Sequence, residues 1–311
     1  MLGFVLRRFS VAVPTILVII TVAFFMMRVA PGGPFDLERP MPEETRQVIL
    51  ESYGLDKPLI YQYFDYMGNL FQGDLGPSLK LRDKNVAEII AEGFPVSATI
   101  GLCSMLLAIG LGTLLGSVAA LRQNTGTDFS VMTFAMVGIS IPPFVMGPIL
   151  ALVFGLYLGL VPTGGLDPRY GMTPDRLILP VITLALPQIA IIARLMRASM
   201  IEVVRSNYIR TARAKGLSAP AVIIRHALRS AILPLVSYLG PASAAVISGS
   251  LVIERVFQLP GIGKHFVDAA LQRDYTVVMG VVIVYATLII VLNLLADLLY
   301  GVLNPKVKYE S

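Results

Sequence analysis

The chain contains six apolar runs that are each long enough to cross a lipid bilayer. A membrane-spanning helix needs about 20 mostly apolar residues to cover a hydrocarbon core of roughly 30 Å. The runs that we predict as membrane spans are residues 10–27, 97–121, 129–160, 177–196, 231–253 and 276–303. Because a bilayer offers no water to bond with exposed backbone groups, such runs fold as helices. The sequence therefore predicts an all-α integral membrane protein with six transmembrane helices.

The composition excludes most other classes of protein. Hydrophobic residues make up 55% of the chain and charged residues 14%, against about 25% charged residues in an ordinary soluble domain. This balance excludes a soluble enzyme and a disordered chain. One cysteine, Cys103, and two histidines, His226 and His265, are too few for a disulfide framework or a metal site. We therefore predict no bound metal.

Lysine and arginine residues orient the spans. The segment 197–230 carries seven basic residues and one acidic residue, whereas the segment 28–96 carries seven basic and eleven acidic residues. Threading six spans places short basic flanks on the same side as 197–230, at Arg7, Arg8, Arg122, Lys306 and Lys308. Since basic loops are retained in the cytoplasm, both termini and 197–230 are predicted to be cytoplasmic, and 28–96 lies outside.

Prolines and small residues predict local features of the spans. Pro142, Pro143 and Pro148 predict kinks inside the third span. Small side chains recur every four positions in the second and fifth spans. These two stripes are Ser104, Ala108, Gly112, Gly116 and Ala120, and Ser237, Pro241, Ala245 and Gly249. Such stripes let another backbone approach closely, and we favour packing within the chain over an interface between subunits.

The outer segment 28–96 is too long to be a simple connection. Helices are predicted after Pro42 and after Pro58, and a short amphipathic helix is predicted over 85–93, just before the second span. These helices either form a cap that packs against the outer face or contact an external partner. Residues 1–311 as a whole are predicted to form a single membrane domain.

The chain lacks the motifs of an ATPase, an enzyme or an ion-driven transporter. Gly261-Ile262-Gly263-Lys264-His265 lacks the first glycine of a nucleotide-binding loop, and His265 stands where Ser or Thr must reach Mg. Asp297 is the sole acidic side chain that could serve an ion inside a span, and its place near the span's end favours a structural role. A secondary transporter and a membrane enzyme are therefore distant alternatives.

The cytoplasmic segment 206–217 predicts a short, capped helix. Ser206 or Asn207 is a suitable N-cap, and Gly216 is a suitable stop. Ser218 and Pro220 then predict the start of a second helix. The small residues Thr211, Ala212 and Ala214 suit insertion into a groove, and the cations Arg210, Arg213 and Lys215 can reach acidic or carbonyl partners. Retention of basic loops in the cytoplasm explains the charge of this segment but not its capped helix.

At this point the sequence resembles a known family, the permeases of ABC-type importers. Arg210-Thr211-Ala212 followed by Gly216 is similar to the EAA loop of these permeases, which forms a coupling helix that docks into a cytoplasmic ATPase subunit. Arg210 replaces the usual Glu, and Arg229 stands where a later proline is expected. Both departures are typical of the peptide-transport branch. The resemblance implies that the coupling residues are Tyr208, Arg210, Thr211, Ala212, Arg213, Ala214, Lys215, Gly216 and Leu217.

Other sequence blocks carry the same resemblance along nearly the whole chain. They are 6–8 with 14–15, 28–32, 73–76, 94–97, 199–203, 259–263 and 273–275. The runs Phe24 to Arg28 and Pro31 to Phe35 are most similar to those of the B components of oligopeptide permeases. The resemblance implies the type I ABC importer permease fold, and a role as a non-catalytic permease subunit of an ATP-driven oligopeptide importer. Dipeptides, nickel or another solute are alternative cargoes.

The resemblance also implies partners and a location. These partners are a homologous permease that completes a heterodimer, two cytoplasmic ABC ATPase subunits, an extracytoplasmic peptide-binding protein and the lipid bilayer, with no nucleic acid. ATP and Mg would be bound by the ATPase subunits, and this chain would bind no cofactor. The implied location is the inner (cytoplasmic) membrane of a bacterium, which the chain crosses several times.

The last outer loop is the second candidate site. Its residues are expected to line an outer gate or to contact the binding protein, and a tight re-entrant turn without substrate contact is the equal alternative. The residues concerned are Glu254, Phe257, Pro260, Gly261, Gly263 and Asp274. No side chain is predicted as a substrate contact.

Overall fold

The computed structural model describes residues 2–29, 32–35, 42–81 and 83–303, and these residues fold almost entirely as helices. Lys306 and Lys308 of the predicted basic flank lie outside the described residues. The same is true of Pro31, which begins one of the runs that carry the resemblance. The α-helices are α1 Leu2–Val29, α2 Glu43–Ser52, α3 Leu59–Phe71, α4 Val86–Leu121, α5 Gly126–Ser140, α6 Pro143–Leu150, α7 Pro174–Val204, α8 Asn207–Ala214, α9 Ala219–Ala221, α10 Leu228–Ala231, α11 Leu233–Val256, α12 Ile262–Gln272 and α13 Tyr275–Leu303. Two segments are π-helical, Ala151–Tyr157 and Val222–Ala227.

Within the described ranges, five helices are long and apolar enough to cross a membrane. They are Ser10–Val29 of α1, and the helices α4, α7, α11 and α13. A sixth span is obtained if α5 and the helix Pro143–Tyr157 are taken together, although these two are bent by 104°. The prediction of an all-helical membrane protein is confirmed, with five or six candidate spans.

The third predicted span is broken at Pro142 and Pro143, where the sequence predicted only a kink. A residue that precedes proline is driven out of the α region, and Ile141 is extended, with φ −94° and ψ 116°. Pro142 has ψ 142°, and Pro143 starts α6 at a position where its missing N–H has no helical partner to lose. Pro148 lies inside α6 and does not end it. Two consecutive prolines therefore end one helix and begin the next.

The outer segment forms the helices that its prolines predict, with one difference. Helix α2 follows Pro42 and α3 follows Pro58. The amphipathic stretch 85–93 is not a separate helix, because α4 runs without interruption through Pro95. A proline removes a single N–H donor from the helical ladder, and the 36-residue helix continues across that gap.

Contacts divide the chain into two compact units. The first unit is Met1–Ser97 with Pro260–Leu288, and the second is Ala98–Leu259 with Ile289–Ser311. Buried side chains of the first unit include Phe24, Val86 and Met279. The second unit is built around α7, and its largest core cluster includes Ile192 and Met196. The single membrane domain stays a prediction.

The small-residue stripe of the second span packs within the chain, as we favoured. A Cβ atom on Gly112 would lie 2.7 Å from Ile192 Cβ, and one on Gly116 would lie 2.3 Å from the carbonyl oxygen of Ala193. The stripe of the fifth span behaves differently. Gly249 faces Leu184 of α7, but Ser237, Pro241 and Ala245 are exposed. Packing within the chain is therefore the wrong interpretation for these three positions.

Candidate functional site

Helix α8 is a short helix between two turns that the sequence predicts. Ser206 occupies the N-cap position with extended backbone, φ −68° and ψ 154°. Its hydroxyl does not cap α8, and instead donates to the carbonyl oxygen of Val203 at 2.6 Å. Ser206 therefore starts α8 through its backbone, while its side chain bonds to the end of α7.

The C-terminus of α8 ends at Gly216, as predicted. Gly216 has φ +79°, a left-handed conformation that side chains disfavour. Its N–H donates to the carbonyl oxygen of Arg213 at 2.9 Å, and the N–H of Leu217 donates to that of Ala212 at 3.4 Å. This pair of bonds is the Schellman motif, which satisfies carbonyl groups at a helix end. The glycine thus fixes where α8 stops.

A second helical stretch follows, as the sequence predicts, but it contains a π-helical turn. Ser218 is the N-cap of α9, and Pro220 lies in the first turn of that helix. The chain then passes through the π-helical Val222–Ala227 before α10. This turn could not be predicted from the sequence, because apolar spacing does not distinguish six residues of π-helix from α-helix.

One face of α8 is anchored in the second unit. Ile209 has no exposed surface, and Ala212 is 7% exposed. Both belong to the core cluster that contains Met196 and Met200 of α7 and Val222. Ala212 therefore packs inside the chain and offers little surface to a partner, whereas the other two small residues, Thr211 and Ala214, face outward.

The opposite face of α8 is exposed, basic and partly apolar. Eight of the nine predicted coupling residues are exposed in α8 and in the turn that follows it, namely Tyr208, Arg210, Thr211, Arg213, Ala214, Lys215, Gly216 and Leu217. Tyr208 and Leu217 are 45% and 41% exposed. Three cations without an acidic residue in 206–217 produce a positive local potential that attracts acidic groups. Aromatic and arginine side chains are enriched in protein interfaces. This surface suits a partner with an acidic, partly apolar cleft.

An ion pair that the sequence analysis missed supports the helix that carries α8. Arg197 of α7 donates to Asp128 of α5 twice, from Nε to Oδ1 at 2.6 Å and from Nη2 to Oδ2 at 2.7 Å. The backbone N–H of Asn124 adds a third bond to Asp128 Oδ2 at 2.9 Å. The pair fixes α5 against α7 about two turns before α7 ends. The sequence offered a signal for this pair, because Arg197 and Asp128 are opposite charges that both lie at the predicted cytoplasmic ends of spans.

The last outer loop brings two of the resembling blocks together. The N–H of Ile262 donates to Ser97 Oγ at 3.0 Å. A Cβ atom on Gly93 would lie 2.8 Å from the nitrogen of Ile262 and 3.0 Å from the carbonyl carbon of Gly261. The first turn of α12 therefore packs directly on the backbone of α4. Gly261 and Gly263 are both buried in this contact region.

Asp274 is a buried junction at the start of α13, only 2% exposed. Its carboxylate accepts hydrogen bonds from the hydroxyl of Ser78 and from the N–H groups of Leu79 and Lys80. It also accepts from Thr276 Oγ1 at 2.9 Å and from the N–H of Val277 at 3.3 Å. The last bond caps α13. Asp274 thus joins the outer segment to α13 and presents almost no surface to a partner.

The remaining outer-loop residues are also mostly inaccessible. Glu254 is fully buried and Phe257 is 1% exposed, while Pro260 is half-buried. The carbonyl oxygen of Phe257 accepts the N–H of Gly165 at 2.7 Å. A Cβ atom on Gly164 would lie 2.5 Å from that same oxygen. These residues present little surface in this structure, and their contact with peptide or binding protein stays a prediction.

Family models match nearly all of the chain. The model described as "Binding-protein-dependent transport system inner membrane component" matches residues 112–309. A second model, described as "Binding-prot-dependent transport system membrane comp, N-term", matches residues 1–101.

Full-length relatives are similar to this chain at high identity. The oligopeptide transport system permease proteins OppB of Haemophilus influenzae and Escherichia coli are each 48% identical over 309 residues, which cover 99% of this chain and 100% of each relative. The dipeptide transport system permease protein DppB of Bacillus subtilis is 42% identical over 311 residues, which cover 100% of this chain and 99% of the relative.

Proposed function

Because this chain belongs to the family of binding-protein-dependent transport system inner membrane components, we propose that it is a permease subunit of an ATP-driven oligopeptide importer. The name of the OppB relatives at 48% identity supports oligopeptides as the cargo. Dipeptides are the second candidate, because a DppB relative is 42% identical over the whole chain. The chain crosses the inner membrane of a bacterium six times as one permease domain, with both termini in the cytoplasm.

The importer divides its work among several chains. A homologous permease forms the translocation path together with this chain, and an extracytoplasmic binding protein delivers the peptide. Two cytoplasmic ABC ATPase subunits bind ATP and Mg and hydrolyse the nucleotide. This chain is non-catalytic and binds no cofactor. The lack of a nucleotide-binding loop in the sequence supports this division.

The exposed face of α8 couples this chain to an ATPase subunit. The observation that supports this role is its two-sided construction: Ile209 and Ala212 lie in the core, and the basic face opposite is exposed. A force applied to the exposed face of α8 is transmitted through Ile209 and Ala212 to α7. The Arg197–Asp128 pair extends the rigid contact to α5. Closure of the ATPase subunits would then rock the spans between inward-facing and outward-facing states.

A steric substitution on the exposed face tests this role without disturbing the core. We expect Ala214→Trp to abolish ATP-dependent peptide uptake by proteoliposomes that contain the assembled importer, because the indole occupies the docking surface. Ala219→Trp is the matched control, since Ala219 is also exposed but lies beyond α8, and it should transport normally. Normal uptake by the Ala214 variant would remove α8 from the coupling mechanism. Uptake that persists without ATP would show that the importer is not driven by ATP.

A further inference from the structure

Helix α3 has an apolar face that no described part of its own unit covers. Ile60, Tyr61, Phe64 and Phe71 are 50%, 62%, 64% and 78% exposed. At 100° per residue these positions fall on one arc of the helix, together with Gly68. A Cβ atom on Gly68 would meet no atom within 4 Å. An exposed face of this kind is typical of a surface that contacts lipid or another protein.

The neighbouring arc of α3 packs on α1. Tyr63 Oη and Thr21 Oγ1 are hydrogen-bonded at 2.8 Å. The ring of Tyr63 lies 5.3 Å from the ring of Phe24 and 5.4 Å from that of Phe25, measured between centroids. Met67, one turn further along α3, is buried in the same cluster as Phe24. These contacts fix the level of α3 along the axis of α1.

That level lies inside the first candidate membrane span. The span runs from Ser10 to Val29, and Thr21 precedes its end by eight residues, or about 12 Å at 1.5 Å per residue. Phe24 has no exposed surface because α3 and its neighbours cover it. A helix that packs at this depth cannot stand clear of the bilayer while α1 crosses it.

The third arc of α3 is polar. Gln62, Asp65 and Asn69 occupy it, and Gln72 follows directly after the end of the helix. Asp65 is exposed and pairs with Lys57 at 2.7 Å, and Asn69 and Gln72 are exposed as well. The helix thus presents a polar arc, an exposed apolar arc and a packed arc around its circumference. Amphipathic helices that lie in the membrane–water interface combine polar and apolar arcs in this way.

We propose that α3 lies in the membrane–water interface of the leaflet where α1 ends, with Ile60, Phe64 and Phe71 in contact with phospholipid acyl chains. The exposed apolar residues Val22 and Met26 of α1 flank the α3 contact, so the lipid-facing surface of the span continues onto α3. Lipid is the occupant that we propose because the arc continues the exposed apolar surface of a candidate membrane span, and cover by a second membrane protein is the alternative that the labelling experiment decides. The proposal rests on α1 crossing the membrane and is independent of cargo and coupling.

Site-directed spin labelling tests this placement directly. In a Cys103→Ala chain, which then has no other cysteine, a nitroxide is attached at Phe64→Cys and, as the matched control, at Asn69→Cys on the polar arc. The assembled importer is placed in phospholipid nanodiscs, and collisions with O₂ and with a water-soluble nickel chelate are measured. We expect O₂ to dominate at position 64 and the nickel chelate to dominate at position 69.

Two outcomes would overturn the proposal. Equal access of the nickel chelate to both labels would show that the apolar arc faces water. Protection of the Phe64 label from both reagents would show that a protein partner covers this arc.

Discussion

Arg197 of α7 and Asp128 of α5, 69 positions apart in sequence, form a two-point ion pair with Nε–Oδ1 and Nη2–Oδ2 distances of 2.6 and 2.7 Å. The carboxylate side chain is 2% exposed and the arginine side chain 27% exposed. The two parallel hydrogen bonds of such an arginine–carboxylate pair fix the relative orientation of the two side chains in addition to pairing their charges. The pair makes α5 and α7 one support for α8.

Removal of the Asp128 charge should destabilise the protein. We expect Asp128→Asn to lower the free energy of unfolding by about 2 kcal/mol, because charged hydrogen bonds are lost from a largely buried arginine. The thermal unfolding temperature of the assembled importer in detergent provides the measurement. Asp65→Asn is the control, since the Lys57–Asp65 pair is more than half exposed and should change stability by less than about 1 kcal/mol. Equal shifts for the two variants would contradict the supporting role of Asp128.

A side chain at Gly216 should disturb the end of α8. We expect Gly216→Val to cost about 1–2 kcal/mol, because φ +79° is strained for a residue with a Cβ atom. The variant should still reach the membrane. It should lose peptide uptake, while the rate of ATP hydrolysis stays undiminished. Gly126→Val is the matched control, because Gly126 has an ordinary φ and open space around its Cβ position. If the Gly216 variant transports as well as the control, the Schellman turn has no part in coupling.

Gly93 should tolerate no larger residue. A Cβ atom there would lie 2.8 Å from the nitrogen of Ile262, so Gly93→Ala should destabilise the protein by about 1–3 kcal/mol through overpacking. Gly110→Ala in the same helix meets no atom within 4 Å and should be neutral or slightly stabilising. Unfolding temperatures of the two variants provide the comparison. A neutral Gly93 variant would show that the outer loop does not rest firmly on α4.

The outer loop should lose stability in mild acid. Burial, followed by the nearby charge of Lys264, lowers the pKa of His265 below its ordinary value. A folded-state pKa that is lower than the unfolded one favours the folded state above the unfolded pKa of about 6.5, and this contribution is lost as pH falls through the folded pKa. His265→Gln should therefore flatten the decline of unfolding temperature between pH 7 and pH 5. An unchanged pH dependence would exclude His265 as its source.

Local signals in the sequence predict much of this fold. Apolar runs predict the spans because a helix that crosses lipid needs predominantly apolar side chains along its whole length. The end of α8 is predictable because Gly216 acts through its own backbone conformation. The break at Pro142 was predicted only as a kink, since the loss of N–H donors does not reveal how far the two helices will bend. In each successful case the determinant lies within a few residues of the feature.

Long-range contacts could not be predicted in this way. From the sequence, Asp274 was expected to be an accessible residue of the outer loop. The structure shows that it is bonded to Ser78, which lies 196 positions away in sequence. Ala212 resembles a docking residue in the isolated motif, but its position in the core depends on Met196 and Val222. The place, the basic charge and the glycine stop of α8, by contrast, could be predicted from the sequence because their determinants lie within the segment itself.

Photo-crosslinking from α8 tests the central claim most directly. A photoreactive amino acid is placed at Arg213 on the exposed face, and at Tyr170 as a control, which is 79% exposed in the loop predicted to lie on the opposite side of the membrane. After illumination of the assembled importer, we predict an adduct between the Arg213 variant and the ATPase subunit, and no such adduct from Tyr170. An Arg213 variant that crosslinks only to lipid or to the second permease would contradict coupling through α8.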